Sequence, residues 1–223
     1  MNVEENFATE KEIFQLTKRF KNRAVEKIFT KIIGAKKSVI NEPHFHFSDW
    51  AYNSPDNVYL AGYWQSEKYF AAIKTLILAD FIPKKEMTDE AKEMCNHIKN
   101  TNSICLSVRR GDFLVNTFHG FHGVDYFQKA DEIISQKLPD YTYFVFSDDI
   151  EWCEANLRFK APTVFVSDLY AGYKFQDKLR LMASCKHFVI PNSSYAWWAV
   201  YLSNSDSNKI VIAPKNWCTD PTW

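Results

Sequence analysis

The sequence lacks an excess of either charge, because 27 Lys and Arg residues balance 27 Asp and Glu residues. It therefore offers no general basic surface for nucleic acid or an anionic membrane, and any anion site must be local. It also lacks an apolar run near the roughly 20 residues that span a bilayer. The segment from Met1 to Glu5 lacks the order of a secretion signal. We expect a soluble cytoplasmic protein with no nucleic-acid partner, and contact with a membrane through partners is left open.

The chain also lacks the paired cysteine spacing of a metal or redox site. Its cysteines are odd in number and mostly lie in apolar surroundings: Cys95, Cys105, Cys153, Cys185 and Cys218. We interpret them as reduced interior thiols of a cytosolic protein. With 223 residues, of which 46% are hydrophobic, the chain can bury a core without a disulfide or metal.

The first hundred residues show mixed-charge helical patterns without a regular alternation of strands and helices. Helical spacing predicts one or two amphipathic helices over residues 8–33. A short strand is predicted at 59–64, followed by helices that begin at Ser66 and Thr88. We therefore expect residues 1–102 to form a mostly helical N-terminal domain.

After Asn102 the pattern becomes a regular alternation of apolar strands and single helices. The predicted strands are Ile104–Val108, Tyr141–Phe146, Thr163–Val166, His187–Ile190 and Lys209–Ala213. The predicted helices are Asp125–Lys137, Ile150–Leu157, Tyr173–Ser184 and Ser194–Ser203. Because this pattern is typical of a parallel sheet covered on both faces, we expect an α/β, Rossmann-like domain over residues 103–223.

Polar residues follow the strands of this predicted sheet. In open parallel sheets the loops after the carboxyl ends of the strands share one edge, where ligands bind. The loops carry Arg109, Arg110, Gly111 and Asp112, then Ser147, Asp148 and Asp149, then Ser167 and Asp168, and finally Asn192, Ser193 and Ser194. Two adjacent guanidinium groups suit a phosphate or pyrophosphate. We therefore expect this edge of the sheet to bind an anion such as a phosphate, next to polar side chains that can bind a sugar.

Each of these groups also has a structural alternative. The arginine pair fits a solvated turn, and the Asn192–Ser194 segment fits a helix N-cap as well as a phosphate site. The Asp148–Asp149 pair fits the first turn of a helix as well as a contact with guanine or ribose. Asp168 is treated as a loop residue.

The histidines allow two further hypotheses. His44 and His46, with Asp49 nearby, lack a third well-placed ligand, so we favour a half-exposed strand over a metal site. His119 and His122 lie in an aromatic, glycine-punctuated loop after the arginines. This loop suits a flap over a substrate with a histidine that moves protons, and it equally suits a surface loop anchored by phenylalanines.

Taken together, these motifs resemble the bacterial α-1,2-fucosyltransferases of glycosyltransferase family eleven. Val108–Asp112 is similar to the family's His-x-Arg-Arg-x-Asp signature. The other similar segments are Phe144–Asp149 with Trp152, Asp177–Cys185 with Ile190–Ala199, Gly62–Ser66, Gly123–Tyr126 and Ala213–Trp217. The similarity covers most of the chain from Tyr59 onward.

The resemblance implies a GT-B architecture and the activity of a galactoside α-1,2-fucosyltransferase. GDP-fucose would be the donor, and no metal or other cofactor would be required. The acceptor would be the 2-hydroxyl of a terminal galactose on a bacterial surface glycan, and the anomeric carbon of fucose would be inverted.

The resemblance also implies roles for individual residues. Donor binding would fall on Arg109, Arg110, Asp148, Asp149, Asn192, Ser193 and Ser194. Arg109 would bind the pyrophosphate and stabilise departing GDP, a contribution of about 3 kcal/mol for a well-placed donor. The serines would hold the distal phosphate, and one of the two aspartates would read guanine. Arg109, Asp112 and His122 are the catalytic candidates, and the general base is left unassigned.

The chain departs from the family pattern at two places. Ser107 stands where the motif has His, and no Gly-Gly-x-Gly-Asn loop follows Met1, so we expect the chain to begin part way into the first GT-B domain. These departures keep an alternative open, namely a catalytically weak or inactive GDP-sugar-binding fragment or partner subunit. An unrelated phosphate-ester enzyme is a third hypothesis, against which the Asp177–Cys185 motif argues.

Overall fold

The computed structural model describes residues 6–17, 38–116, 118–203 and 208–219. The helices are α1 (Glu10–Thr17), α2 (Lys74–Asp80), α3 (Asp89–Lys99), α4 (Val124–Ser135), α5 (Ile150–Asn156), α6 (Gln176–Ala183) and α7 (Ser194–Leu202). The strands are β1 (Val39–Asn41), β2 (Tyr59–Ala61), β3 (Ser103–Val108), β4 (Thr142–Ser147), β5 (Thr163–Val166), β6 (His187–Val189) and β7 (Val211–Ile212). Single 3-10 turns lie at Asp49–Asn53, Glu67–Tyr69, Ala71–Ile73, Asp112–Leu114, Asp168–Tyr170 and Tyr173–Phe175.

Five strands form one parallel sheet in the order β5-β4-β3-β6-β7. The central strand β3 pairs with β4 on one side, where Ile104 lies opposite Tyr143, and with β6 on the other, where Ile104 lies opposite His187. All six residues of β3 are buried, as expected for a strand covered on both faces. The predicted α/β fold with a parallel sheet is therefore confirmed.

Alternation along β3 divides the core into two layers. Cys105 belongs to one buried cluster, whereas Ile104 and Leu106 belong to the other, because successive side chains of a strand point to opposite faces. Residues of α3, α6 and α7 pack in the first cluster, and residues of α4 and α5 pack in the second. A buried Leu, Ile or Phe side chain contributes about 1.5–3 kcal/mol, so both layers hold the sheet in place.

The chain forms two compact units that meet in sequence between Asp80 and Phe81. We call them the N-terminal and the C-terminal unit. The sequence-based boundary between residues 102 and 103 assigned α3 to the N-terminal domain. In the structure α3 groups with the sheet, because Cys95 and Ile98 pack in its first core cluster. Thr88 caps α3 as predicted, since its side chain accepts a hydrogen bond from the Ala91 amide.

The N-terminal unit contains a parallel pair of short strands, in which Val39 lies opposite Tyr59. Only α1 represents the helices predicted over residues 8–33, because residues 18–37 lie outside the described residues. The strand predicted over 59–64 ends at Ala61. Ser66 caps a 3-10 turn, and the regular helix begins later, at Lys74.

The helix predicted over Tyr173–Ser184 was wrong at its start. The regular helix α6 begins at Gln176, because Lys174 and Phe175 adopt left-handed backbone conformations with φ of 48° and 61°. The Tyr195 hydroxyl donates a hydrogen bond to the Phe175 carbonyl and so holds this turn.

Two composition-based predictions bear on the described residues. All five cysteines are buried and free, which confirms the prediction of interior thiols. Among the helices that the structure describes, none is long and apolar enough to cross a membrane.

Candidate functional site

The order of the strands places two predicted loops beside each other. After β3 the chain runs outward through β4 and β5, and it then returns to the other side of β3 to form β6 and β7. The loops that follow β3 and β6 therefore leave neighbouring strands at the point where the order reverses. In open α/β sheets, this switch point at the carboxyl ends is the usual ligand crevice.

Arg109 follows β3 and lies between two carboxylates. One guanidinium nitrogen, Nη2, is 2.6 Å from Asp112 Oδ1, and Nη1 is 2.9 Å from Asp148 Oδ2. The side chain of Arg109 nevertheless remains 39% exposed. Its guanidinium is thus held in place while part of its donor set faces solvent, which suits contact with an anion.

Arg110 is held more tightly and is only 13% exposed. Its Nε donates to Asp149 Oδ2 at 3.0 Å, and its guanidinium carbon lies 3.8 Å from the centre of the Trp152 ring. The flat guanidinium stacks well on an aromatic face. Arg110 therefore supports the loop, and Arg109 is the more accessible of the two arginines.

Asp148 and Asp149 use their carboxylates to shape the arginine loop. Asp148 accepts from the Arg110 amide at 2.9 Å as well as from Arg109. Asp149 caps α5 by accepting from the Trp152 amide at 3.2 Å, in addition to its bond with Arg110. The structure thus brings these predicted residues together, while their reading of guanine stays a prediction.

Gly111 lets Asp148 approach the loop closely. A Cβ atom at this position would lie 2.6 Å from Asp148 Oδ2, well inside van der Waals contact. Because the Asp148 carboxylate is already fixed by two bonds, a side chain at position 111 would displace it.

The loop after β6 leads directly into α7. Ser193 caps this helix, since its hydroxyl accepts from the Ala196 amide at 3.5 Å, and Ser194 is exposed. Asn192 is buried, and its amide donates to the His119 carbonyl at 2.6 Å and to the Trp217 carbonyl at 2.8 Å. The capping role is therefore observed, and binding of the distal phosphate by these residues stays a prediction.

The histidine loop packs against the end of the sheet. His119 stacks on Phe113 with ring centres 4.8 Å apart, and the His122 ring lies 4.6 Å from that of Tyr126. Burial lowers the pKa of His122, and this effect outweighs the opposing influence of Asn192. The lowered pKa favours the neutral imidazole, which is the form that a proton acceptor needs.

Sequence reasoning did not find the role of Lys178. This residue of α6 is only 7% exposed, and its ammonium donates to the Ser147 carbonyl and to Asp168 Oδ1, each at 2.8 Å. Lys178 therefore ties the carboxyl end of β4 to the loop after β5. Its position in the Asp177–Cys185 motif was noted, but a lysine on a helix gives no local signal of burial.

Asp177 was also missed as a buried group. It is fully buried, it accepts from the Thr88 amide at 3.1 Å, and it lies 3.5 Å from the guanidinium of Arg180. The Thr88 contact connects the start of α6 to the residue that precedes α3, and Arg180, within α6, also donates to the Lys85 carbonyl at 3.3 Å, so Asp177 has a structural role.

The described residues contain no group of three His, Cys, Asp or Glu side chains arranged to hold a metal ion. The prediction that His44 and His46 lie on a strand was wrong, because the strand ends at Asn41 and both residues lie in bends after it, with ring centres 5.2 Å apart. Metal independence of the reaction stays a prediction.

Comparison with known proteins identifies the family. The model of glycosyl transferase family 11 matches residues 7–222. An alpha-1,2-colitosyltransferase of Escherichia coli is 30% identical over 97% of this chain and 74% of its own length. The O-antigen biosynthesis glycosyltransferase WbnK of Escherichia coli is 31% identical over 71% of this chain and 54% of its own length. A galactoside 2-alpha-L-fucosyltransferase of Caenorhabditis elegans is 29% identical over 66% of this chain and 42% of its own length. The resemblance seen in the motifs is thus confirmed, and the chain belongs to glycosyl transferase family 11.

Proposed function

We propose that this glycosyltransferase moves L-fucose from GDP-fucose to the 2-hydroxyl of a terminal galactose on a bacterial surface glycan, with inversion. The observation that carries the proposal is that the loop holding Arg109 and the loop leading into α7 leave neighbouring strands at the switch point of the parallel sheet. Relatives named as galactoside fucosyltransferases support the choice of donor and acceptor.

The donor pyrophosphate is assigned to the loops after β3 and β6. Arg109 supplies an accessible guanidinium fixed by Asp112 and Asp148, and its charge would stabilise GDP as it leaves. The start of α7 offers backbone amides and a helix dipole to the distal phosphate. Because the leaving charge is met by fixed protein groups, the proposal requires no metal.

The proposal includes a GT-B architecture, with the GDP-sugar site in the C-terminal unit. Asp112 and His122 remain the candidates for a proton acceptor toward the galactose hydroxyl. Asp112 is paired with Arg109, whereas burial lowers the pKa of His122, and this contrast supports His122 as the acceptor in the proposal. Peripheral association with the inner membrane is retained as part of the proposal.

A second candidate donor is a GDP-linked colitose, a sugar that differs from L-fucose by lacking the 3-hydroxyl. The similarity to an alpha-1,2-colitosyltransferase over 97% of this chain favours it. Comparing transfer rates with the two GDP sugars under identical conditions distinguishes these donors.

A binding protein without turnover is the third candidate. Ser107, at the position of the motif histidine, is buried in β3 between its two neighbouring strands. It therefore keeps a small hydroxyl at this position but cannot supply the ring contacts or the proton transfer of an imidazole. Tight GDP binding without product on galactose-terminated acceptors would support this candidate over the transferases.

Calorimetry with GDP, GDP-fucose and UDP tests the proposal. We expect the guanine nucleotides to bind and UDP not to bind, and we expect Arg109→Ala to weaken GDP binding at least about 100-fold, since a charge-assisted contact is lost. Arg158→Ala is the matched control, because Arg158 bonds to carbonyls at the far end of α5. Absence of GDP binding in the wild-type chain would contradict both the transferase and the binding-protein candidates.

A further inference from the structure

Glu42 is a buried carboxylate that the donor site does not use. It follows β1, and its amide donates a hydrogen bond to the carbonyl of Ala61, the last residue of β2. The residue is only 9% exposed. Its Oε2 accepts from the Tyr63 amide at 2.6 Å and from the Trp64 amide at 3.0 Å. One oxygen of the carboxylate therefore organises the turn that follows β2.

This turn adopts an uncommon shape around Glu42. A Cβ atom on Gly62 would collide with the Glu42 side chain, so only glycine allows so close an approach. Trp64 has a φ of 51°, a left-handed conformation that costs about 1–3 kcal/mol in a residue other than glycine. Such strain is characteristic of binding and catalytic sites, and here it surrounds a single carboxylate.

Among the residues that the structure describes, none donates a hydrogen bond to the second oxygen of Glu42. This oxygen, Oε1, is buried, and the buried Nδ1 of His44 likewise has no hydrogen-bond partner within the described part of the chain. A buried charged acceptor without a donor is costly, which makes it a strong acceptor for any donor that reaches it. A ligand hydroxyl is such a donor.

Tyr63 provides an aromatic surface beside this carboxylate. Its ring is part of a side chain that is 75% exposed, and the edge of Phe45 braces it at a centre-to-centre distance of 5.6 Å. Its backbone amide is held by Glu42. An exposed ring on the residue whose amide binds the carboxylate suits a sugar, because the C–H face of a pyranose packs on an aromatic ring while its hydroxyls face polar groups.

We infer that Glu42 and Tyr63, with the turn Gly62–Trp64, form a binding subsite for the terminal galactose of the acceptor. The sugar ring lies on Tyr63, and one of its hydroxyl groups donates to Glu42 Oε1. Since Oε1 is covered, the turn shifts when the sugar enters, and relief of the strained Trp64 conformation favours that shift. The identity of the sugar rests on the proposed function, whereas the chemistry of the subsite does not.

The test of the subsite is the binding of lactose to the full chain in the absence of donor. Saturation-transfer NMR measures this binding. The decisive variant is Glu42→Gln, whose carbonyl can still accept from both turn amides but which places an NH₂ donor where Oε1 stood. We expect lactose affinity to fall about tenfold in Glu42→Gln and further in Tyr63→Ala, with GDP affinity unchanged. Tyr63→Phe should restore most of the binding, because it keeps the ring. Tyr59→Ala, a partly exposed tyrosine of β2, is the matched control.

In steady-state transfer, the acceptor KM should rise in Glu42→Gln while the donor KM stays constant. Unchanged lactose binding in both Glu42→Gln and Tyr63→Ala would overturn the inference, as would equal losses in Tyr59→Ala. Failure of the proposed function can be distinguished from failure of the subsite, because the former would appear as absent GDP binding or absent transfer. In that case lactose binding that depends on Glu42 would still support the subsite.

Discussion

At the scale of single residues, His187 shows how the fold selects one chemical state. Its buried Nδ1 accepts from the Ile210 amide at 3.1 Å, and its Nε2 lies 3.2 Å from Asn102 Oδ1. An acceptor role for Nδ1 requires a neutral ring with its proton on Nε2. Burial, and to a smaller degree the charge of Lys186, lowers the pKa of this histidine.

The His187 environment predicts a loss of stability in acid. Because the pKa is lower in the folded than in the unfolded chain, the unfolded chain binds more protons below its ordinary value of 6.5. The free energy of unfolding should therefore decrease as pH falls from about 7.5 to about 5.5, and His187→Gln should make this decrease shallower. Chemical denaturation at both pH values measures it. An identical pH slope in the variant would show that other groups dominate.

Single residues were predictable from sequence where chemistry and local position coincide. Arg109 and Arg110 were expected at a strand end, and the contacts of both place them there. The buried role of Lys178 was not predictable, because its partners Ser147 and Asp168 are distant in sequence and meet it only through the sheet. The hydrogen bonds between Glu42 and the turn after β2 were likewise not predictable, because they depend on the parallel pairing of β1 with β2, which no local pattern indicates.

At the scale of elements, the shape of the loop after β3 depends on Gly111, because its missing side chain leaves room for the Asp148 carboxylate. We expect Gly111→Ala to push the Asp148 carboxylate away from Arg109 and to weaken GDP binding about tenfold or more. Calorimetry with GDP measures this effect, and thermal unfolding reports whether the fold is retained.

Gly123→Ala is the matched control for this loop. Its added Cβ would meet only Phe121 ring atoms at 3.9 Å, an ordinary contact, so GDP binding should persist. Equal losses in the two glycine variants would mean that the close approach of Asp148 is not what the site requires.

Elements were predictable where apolar periodicity is strong. The strand Thr163–Val166 was predicted with its observed bounds. The strand predicted over Lys209–Ala213 is shorter, at Val211–Ile212, because it pairs only with β6 at the edge of the sheet. The start of α6 could not be foreseen, since the left-handed turn at Lys174 and Phe175 is held by Tyr195, which lies farther along the chain.

At the scale of the whole molecule, both core clusters lie within the C-terminal unit. A polypeptide of residues 81–223 therefore keeps the complete sheet and its two covering layers. We expect it to unfold cooperatively and, under the proposed function, to retain GDP binding. Circular dichroism during urea unfolding and calorimetry measure these properties, and a fragment without a cooperative transition would contradict the expectation.

The sequence indicated the class of fold better than its arrangement. Alternating apolar strands and helices predict a parallel sheet, but the order β5-β4-β3-β6-β7 depends on which side of β3 the chain rejoins. In the observed order, residues of α6 and α7 pack with residues of β3 and β6 in one core cluster, which stabilises this arrangement. It decides which loops become neighbours, and hence which predicted residues share a site.

The buried thiols also allow local opening of the core to be measured by chemical labelling. Cys105, Cys153 and Cys185 lie in the core, and burial raises the pKa of Cys153 to about 11 and that of Cys185 well above its ordinary value. A thiol that is covered and protonated reacts with alkylating reagents only when the surrounding structure opens. The rate at which each cysteine is labelled therefore reports how readily its part of the core opens.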